Sequence, residues 1–231
     1  DGSAVVQGDD VGFGWTVGAN FSPTDKLAIG LTYRSEIDYD LEGTADWTVP
    51  TDVAAVFTNV GSPLFRDGNV TAALTTPSVL SLGATYQVTD SFKLMASWAE
   101  TKWTSLREVR INFQNPDPDA VEDFAWRDTE FMSLGGEFKL NEAWTLRAGV
   151  AFDETPTHIE TRTPRLPDAD RLWYSIGATW AFSDALELNF GYARLEPKDP
   201  EVDSHDNQGH RLTGPFDGYA NLLAFSAQYK F

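Results

Sequence analysis

The chain has 231 residues, a formal net charge of −18 and no cysteine. That surplus of acid argues against nucleic-acid binding, which needs clustered Lys and Arg, and the absence of thiols excludes disulfides and cysteine-held metals. Mean hydropathy is −0.32, and no run of about eighteen apolar residues offers a spanning helix. A barrel strand, which hides its hydrophobicity in alternate positions, remains possible.

Residues 11 to 21 alternate Val11, Phe13, Trp15, Val17, Ala19 and Phe21 against Gly12, Gly14, Thr16, Gly18 and Asn20. The glycines of Gly8 to Gly18 belong to this alternation and not to a phosphate loop, because no helix pattern follows. Pro23-Thr24-Asp25 predicts a tight turn. The second strand sets Leu27, Ile29, Leu31 and Tyr33 against Ala28, Gly30, Thr32 and Arg34, and a long connection runs from about Trp47 to Thr76. The third strand carries Leu80, Leu82, Ala84 and Tyr86, turns at Thr89-Asp90, and gives way to Phe92, Leu94, Ala96 and Trp98. After a Pro/Asp loop at 115 to 119, the fifth strand shows Met132, Leu134, Gly136 and Phe138. Asn141-Glu142 turns it into a sixth, with Trp144, Leu146, Ala148, Val150 and Phe152. A Thr- and Pro-rich loop covers 154 to 168. Strand seven carries Leu172, Tyr174, Ile176, Ala178, Trp180 and Phe182; after Ser183-Asp184, strand eight carries Leu186, Leu188, Phe190 and Tyr192. A polar loop at 196 to 215 precedes the last strand, in which Phe225, Ala227, Tyr229 and Phe231 alternate with polar or small residues.

One face of these strands is large and apolar; the other is mostly Gly, Ser, Thr, Ala and charge. Bulky residues facing lipid and small ones facing a lumen explain both. Short turns follow strands one, three, five and seven, and long loops follow the others, as in outer-membrane barrels. The eight tryptophans suit interfacial girdles. The fold class expected is therefore all-β: a transmembrane antiparallel β-barrel. Nine strands is an odd number where bacterial barrels are even, and Asp1-Gly2-Ser3 opens no leader pattern. The expectation is that residues 1–231 form the C-terminal part of a larger barrel.

Several segments, in colinear order, resemble the FadL family of outer-membrane long-chain fatty-acid transporters. They are Gly8-Asp9-Asp10-Val11-Gly12-Phe13-Gly14-Trp15, Leu31-Thr32-Tyr33-Arg34-Ser35-Glu36, Thr101-Lys102-Trp103-Thr104 and Trp126-Arg127-Asp128-Thr129. Gly149-Val150-Ala151-Phe152-Asp153-Glu154-Thr155-Pro156 and Leu166-Pro167-Asp168-Ala169-Asp170-Arg171-Leu172-Trp173 complete the set. The resemblance implies a fourteen-stranded barrel plugged by an N-terminal hatch, of which this chain supplies the last nine strands without the hatch and the first strands. It implies passive uptake of long-chain fatty acids or similar hydrophobic compounds, with aromatic hydrocarbons as the alternative cargo. An outer-membrane lipid-modifying enzyme is the rival of another class.

A fatty acid needs an apolar surface and a cation for its carboxylate. By parity Arg34, Arg127, Arg147 and Arg171 face inward, beside Phe131, Trp103 and Trp173. The resemblance places Arg127 where the family contacts the ligand head group. The competing reading pairs these arginines with inward acids such as Glu36, Glu137, Glu187 and Asp153. In the loop from 47 to 76, Val53, Val56, Phe57, Leu64 and Phe65 either form an external capture groove, as the resemblance implies, or pack as a lid. His158, His205 and His210 lie in loops at spacings that match no zinc pattern, so neither a metal nor another cofactor is expected. The partners expected are the hydrophobic ligand, outer-membrane lipid with lipopolysaccharide, and the barrel-assembly machinery through Phe231.

Overall fold

The structure, a computed structural model, describes residues 2–198, 201–205 and 209–231. In chain order it runs β1 (Ser3–Asp9), β2 (Thr16–Thr24), β3 (Leu27–Arg34), β4 (Ile37–Thr48) and helix α1 (Thr51–Asn59). β5 (Gly68–Thr76), β6 (Val79–Thr89) and β7 (Phe92–Thr101) lead to a single 3-10 turn at Trp103–Ser105. β8 (Glu108–Phe113), β9 (Ala120–Asp123), β10 (Thr129–Lys139), β11 (Trp144–Asp153) and β12 (Arg171–Ala181) follow. β13 (Leu186–Pro197), β14 (Glu201–His205), β15 (Arg211–Pro215) and β16 (Ala220–Tyr229) complete the chain.

The nine expected strands form one antiparallel sheet in the order β16-β13-β12-β11-β10-β7-β6-β3-β2. The register keeps like side chains in line: Leu134 lies opposite Val150 and Val150 opposite Tyr174, while Gly135 faces Gly149 and Gly149 faces Ser175. One polar side chain folds back at each tight turn. Thr24 Oγ1 accepts from the Leu27 amide at 3.1 Å and Thr89 Oγ1 from that of Phe92 at 3.1 Å. Asn141 Oδ1 accepts from the Ala143 and Trp144 amides, both at 2.9 Å, and Ser183 Oγ from Leu186 at 3.1 Å. A Thr, Asn or Ser followed by an acid thus closes each hairpin by the same local hydrogen bond.

The sheet has no apolar core. The buried hydrophobic residues described are Ala45, Val70, Ala169 and Val202, and none of these lies in the nine strands. Leu134, Val150, Ile176 and Phe190 are 56%, 52%, 63% and 45% exposed. A soluble monomer of 25.6 kDa has about 10,400 Å² of accessible surface, whereas this chain has 15570 Å². The bulky face therefore needs hydrocarbon, not protein, to cover it. Aromatic rings collect at the turn ends of the strands, where Trp144 stacks on Trp180 (5.4 Å, 4°) and Trp180 meets Phe182 at 5.0 Å. This is the position of an interfacial girdle. The opposite face lines a concavity of about 890 Å³, with Ser97, Ser133, Gly135, Gly149 and Ser175 in its wall.

Two expectations are corrected. The first wall strand begins at Thr16, not Val11, because residues 10–15 cross the start of β4 outside the ladder. A Cβ on Gly12 would strike the Ile37 side chain and lie 2.8 Å from the Asp38 carbonyl, so this crossing needs glycine. The long connections are also more ordered than a loop reading allows. They build a second sheet, β1-β4-β5-β8-β9, and a separate β14-β15 hairpin. In β4, Ile37, Tyr39, Leu41 and Trp47 alternate with Asp38, Asp40, Glu42 and Asp46, a strand pattern by the same rule that found the wall.

Candidate functional site

Where β7 ends and β10 begins, three aromatic side chains converge. Trp103, on the 3-10 turn, meets Trp126 edge-on at 5.0 Å and 87°, and Phe131 of β10 faces the same space. Leu166 and Pro167 close it from the loop between β11 and β12, giving a cavity of about 520 Å³. The Trp103 turn is clasped by Asp128. One carboxylate oxygen accepts from the Thr104 amide (3.1 Å) and hydroxyl (2.8 Å), and the other lies 3.0 Å from the Lys102 ammonium. Partial burial pushes the Asp128 carboxyl up, but the Thr104 and Lys102 contacts outweigh it and hold the group below its ordinary value. Hydrogen bonds to Glu100 and Asp128 raise Lys102 in turn.

The loop over residues 154–170 is held by a polar knot. Thr155 donates its amide to Asp170 (2.9 Å) and its hydroxyl to Asp168 (2.6 Å). Arg171 donates one Nη to Asp168 and the other to Asp153, each at 2.9 Å. Arg162 gives Nε to the Thr157 hydroxyl (3.0 Å) and Nη1 to the Glu201 carbonyl (2.7 Å). Thr155, Thr157 and Arg162 are all buried. Such bonds keep Leu166 and Pro167 over the aromatic cavity without an apolar core beneath the loop.

The structure brings together part of the predicted set. Trp103, Phe131 and Arg171 share the aromatic cavity, and Phe131 also lines the sheet's concavity, so the two spaces meet there. Trp173 and Arg147 lie farther along the concave wall. Arg147 pairs with Glu137 at 2.7 Å and bonds the Thr179 hydroxyl; Lys93 reaches the same Glu137 at 2.8 Å. Arg34 is exposed at the end of β3 and makes no ion pair among the described residues. Arg127 lines a polar cleft on the other side of the loop, with Nε on the Thr155 carbonyl (3.1 Å) and Nη2 3.6 Å from Asp170. Of the arginines chosen from sequence, Arg127, Arg147 and Arg171 are thus ion-paired.

In the external loop, Phe57 and Phe65 meet at 5.2 Å and Phe65 meets Trp47 at 5.1 Å. Leu64 lines a small pocket with Phe57 and Phe65. Val53 and Val56, on α1, stay exposed at 39% and 58%. His158 lines the polar cleft, His205 ends β14, and no metal-binding group of His or carboxylates forms among the described residues. Sequence reasoning missed Trp126, Leu166, Arg162 and Arg165. The first two stand inside the motifs quoted above and were legible there; the arginines sit in a loop whose composition carried no signal.

The whole chain, residues 1–231, matches the family model described as outer membrane protein transport protein (OMPP1/FadL/TodX). A relative from Escherichia coli, strain CFT073, named long-chain fatty acid transport protein, is 29% identical over 81% of this chain and 43% of its own length. The crystal structure of a Pseudomonas aeruginosa FadL homologue superposes with a TM-score of 0.82 at 28% identity, covering 94% of this chain and 52% of that one. The Pseudomonas putida toluene transporter TodX shares the fold at a TM-score of 0.63 and 17% identity, over 99% of this chain and 53% of that one. The chain spans between 38% and 53% of the curated relatives it matches. A wall of nine antiparallel strands with a lipid-facing belt and a family match along residues 1–231 together make this chain a member of the outer-membrane FadL/TodX transport protein family.

Proposed function

We propose that the full-length protein carries long-chain fatty acids across the outer membrane passively, by way of the aromatic cavity. The observation that carries this reading is the cavity itself. Trp103, Trp126 and Phe131 offer rigid apolar walls, Arg165 and Arg171 stand at its rim, and Phe131 connects it to the concave face of the sheet. Apolar pockets with few convergent polar groups suit amphipathic ligands. No step of this reading needs a catalysed reaction. The exposed face of α1, with Val53 and Val56, serves first capture outside the membrane, while Phe57, Leu64 and Phe65 anchor it. The belt on the other face of the strands meets membrane lipid and lipopolysaccharide, and the exposed ring of Phe231 is offered to the barrel-assembly machinery.

Aromatic-hydrocarbon uptake is the second reading, supported by the shared fold of a toluene transporter. The cations separate the two, since a neutral cargo gains nothing from them. Uptake of radiolabelled palmitate and of toluene is measured in cells lacking other transporters of the family. Trp103→Ala is expected to lower palmitate uptake severalfold. Wild-type cells that take up toluene but no palmitate would turn the assignment to the second reading.

A further inference from the structure

We infer that Asp117, in the loop between β8 and β9, is a positioning residue for first capture of the cargo. Its carboxylate holds Phe65, and through Phe65 it sets where α1 lies; this rests on the capture role given to α1 above. Asp117 is only 7% exposed, and one of its oxygens accepts from the Phe65 amide at 2.7 Å, 52 residues away in sequence. Its other oxygen is buried and has no hydrogen-bond partner among the described residues. Burying a carboxylate that is only half satisfied is unfavourable. Phe65 carries a second cost at the same place, with a φ of 59° that non-glycine residues rarely adopt. Two costs meeting at one hydrogen bond point to a contact that serves more than local stability.

Phe65 links α1 to the second sheet. The helix has no buried residue and no side-chain cap at its N-terminus, so its own sequence does little to fix its place. Phe57 ties it to Phe65 at 5.2 Å, and Phe65 packs edge-on against Trp47 of β4 at 5.1 Å and 70°. Asp117 is itself braced. Pro116 and Pro118 flank it and restrict its backbone. Its amide donates to Asn115 Oδ1 at 2.9 Å, and Asn115 Nδ2 donates to the Arg66 carbonyl at 2.7 Å. Releasing Phe65 therefore frees α1 without altering Val53 or Val56. A helix in place only part of the time captures with an affinity reduced by that fraction.

The test is the concentration dependence of radiolabelled palmitate uptake by cells carrying the full-length protein, with its abundance in the outer membrane measured alongside. Asp117→Ala is expected to raise the half-saturating palmitate concentration roughly three- to tenfold, the range of one lost hydrogen bond, at an unchanged maximal rate per molecule. Asp117→Asn keeps an acceptor for the Phe65 amide and is expected to stay within about twofold of wild type. Asn115→Ala loosens the same clamp from a less buried position. It is expected to raise half-saturation too, and it reports even where Asp117→Ala fails to reach the membrane. Unchanged half-saturation in an alanine variant that reaches the membrane overturns the inference. So does a fall in maximal rate alone, the mark of a merely structural role, or an Asp117→Asn variant as impaired as the alanine one. Val53→Ser combined with Val56→Ser checks the capture reading separately. If that pair leaves half-saturation at the wild-type value, α1 takes no part in capture and the reading falls together with the inference. If the pair raises it while Asp117→Ala does not, the inference alone falls.

Discussion

Arginine in place of Ile176 should destabilise the inserted protein by about 3–6 kcal/mol, while arginine at its neighbour Ser175 should change stability by less than about 1 kcal/mol. Ile176 stands at the middle of β12, opposite Ala148 on one side and Tyr192 on the other. Protein covers little of it: 63% remains exposed. If that surface meets hydrocarbon, the isoleucine contributes 63% of the roughly 1.5–3 kcal/mol of full burial, about 1–2 kcal/mol. An arginine at the bilayer midplane costs about 2–4 kcal/mol more. Their sum shifts the folding equilibrium by roughly two to four powers of ten. Ser175 lies at the same depth but points to the concave side, where its hydroxyl bonds the Gly149 carbonyl at 3.2 Å. The assay is a guanidinium titration of the full-length protein refolded into phosphatidylcholine vesicles, followed by tryptophan fluorescence. Should Ser175→Arg cost as much as Ile176→Arg, the assignment of faces is wrong, and with it every lumen residue named above.

Other consequences can be measured separately. Asn141→Ala, which removes the acceptor for two turn amides, should cost about 1–2 kcal/mol in the same titration, and Asn141→Asp should restore most of it. Gly12→Val should pull residues 10–15 away from β4 and speed chymotryptic cleavage at Phe13 and Trp15 severalfold. The Asp128 clasp should be pH-dependent with a definite sign. Its folded pKa lies below the ordinary aspartate value, so its stabilising effect is present above that ordinary value and lost as pH falls through the lowered one. Near-UV circular dichroism of the Trp103–Trp126 pair should therefore weaken in that acid range, and Asp128→Asn should show the weakened signal already at neutral pH.

The knot of loop 154–170 bears on how the site is built in a protein without a core. Apolar burial cannot position Leu166 above Trp103, because little protein lies beneath it. Three aspartates, two threonines and two arginines do so by hydrogen bonds. The same loop lines an aromatic cavity on one side and a polar cleft on the other.

Much of the wall was settled by local sequence. A two-residue period fixes which side chains share a face, and a Thr, Asn or Ser before an acid closes a hairpin through its own backbone. Both effects act within a few residues, so Leu134, Ile176 and Asn141 could be assigned without knowing any partner strand. Pairings across the molecule could not. Arg162 lies in a loop with no period, and its burial depends on Thr157 and on the Glu201 carbonyl, 39 residues away. By parity Arg127 and Phe131 share one face, yet Arg127 precedes β10 and the two line different spaces, one on each side of one loop. Gly12 reads as one more small residue in an alternation until Ile37 is found packed against it. Such contacts depend on where distant segments meet, and only the tertiary structure decides that.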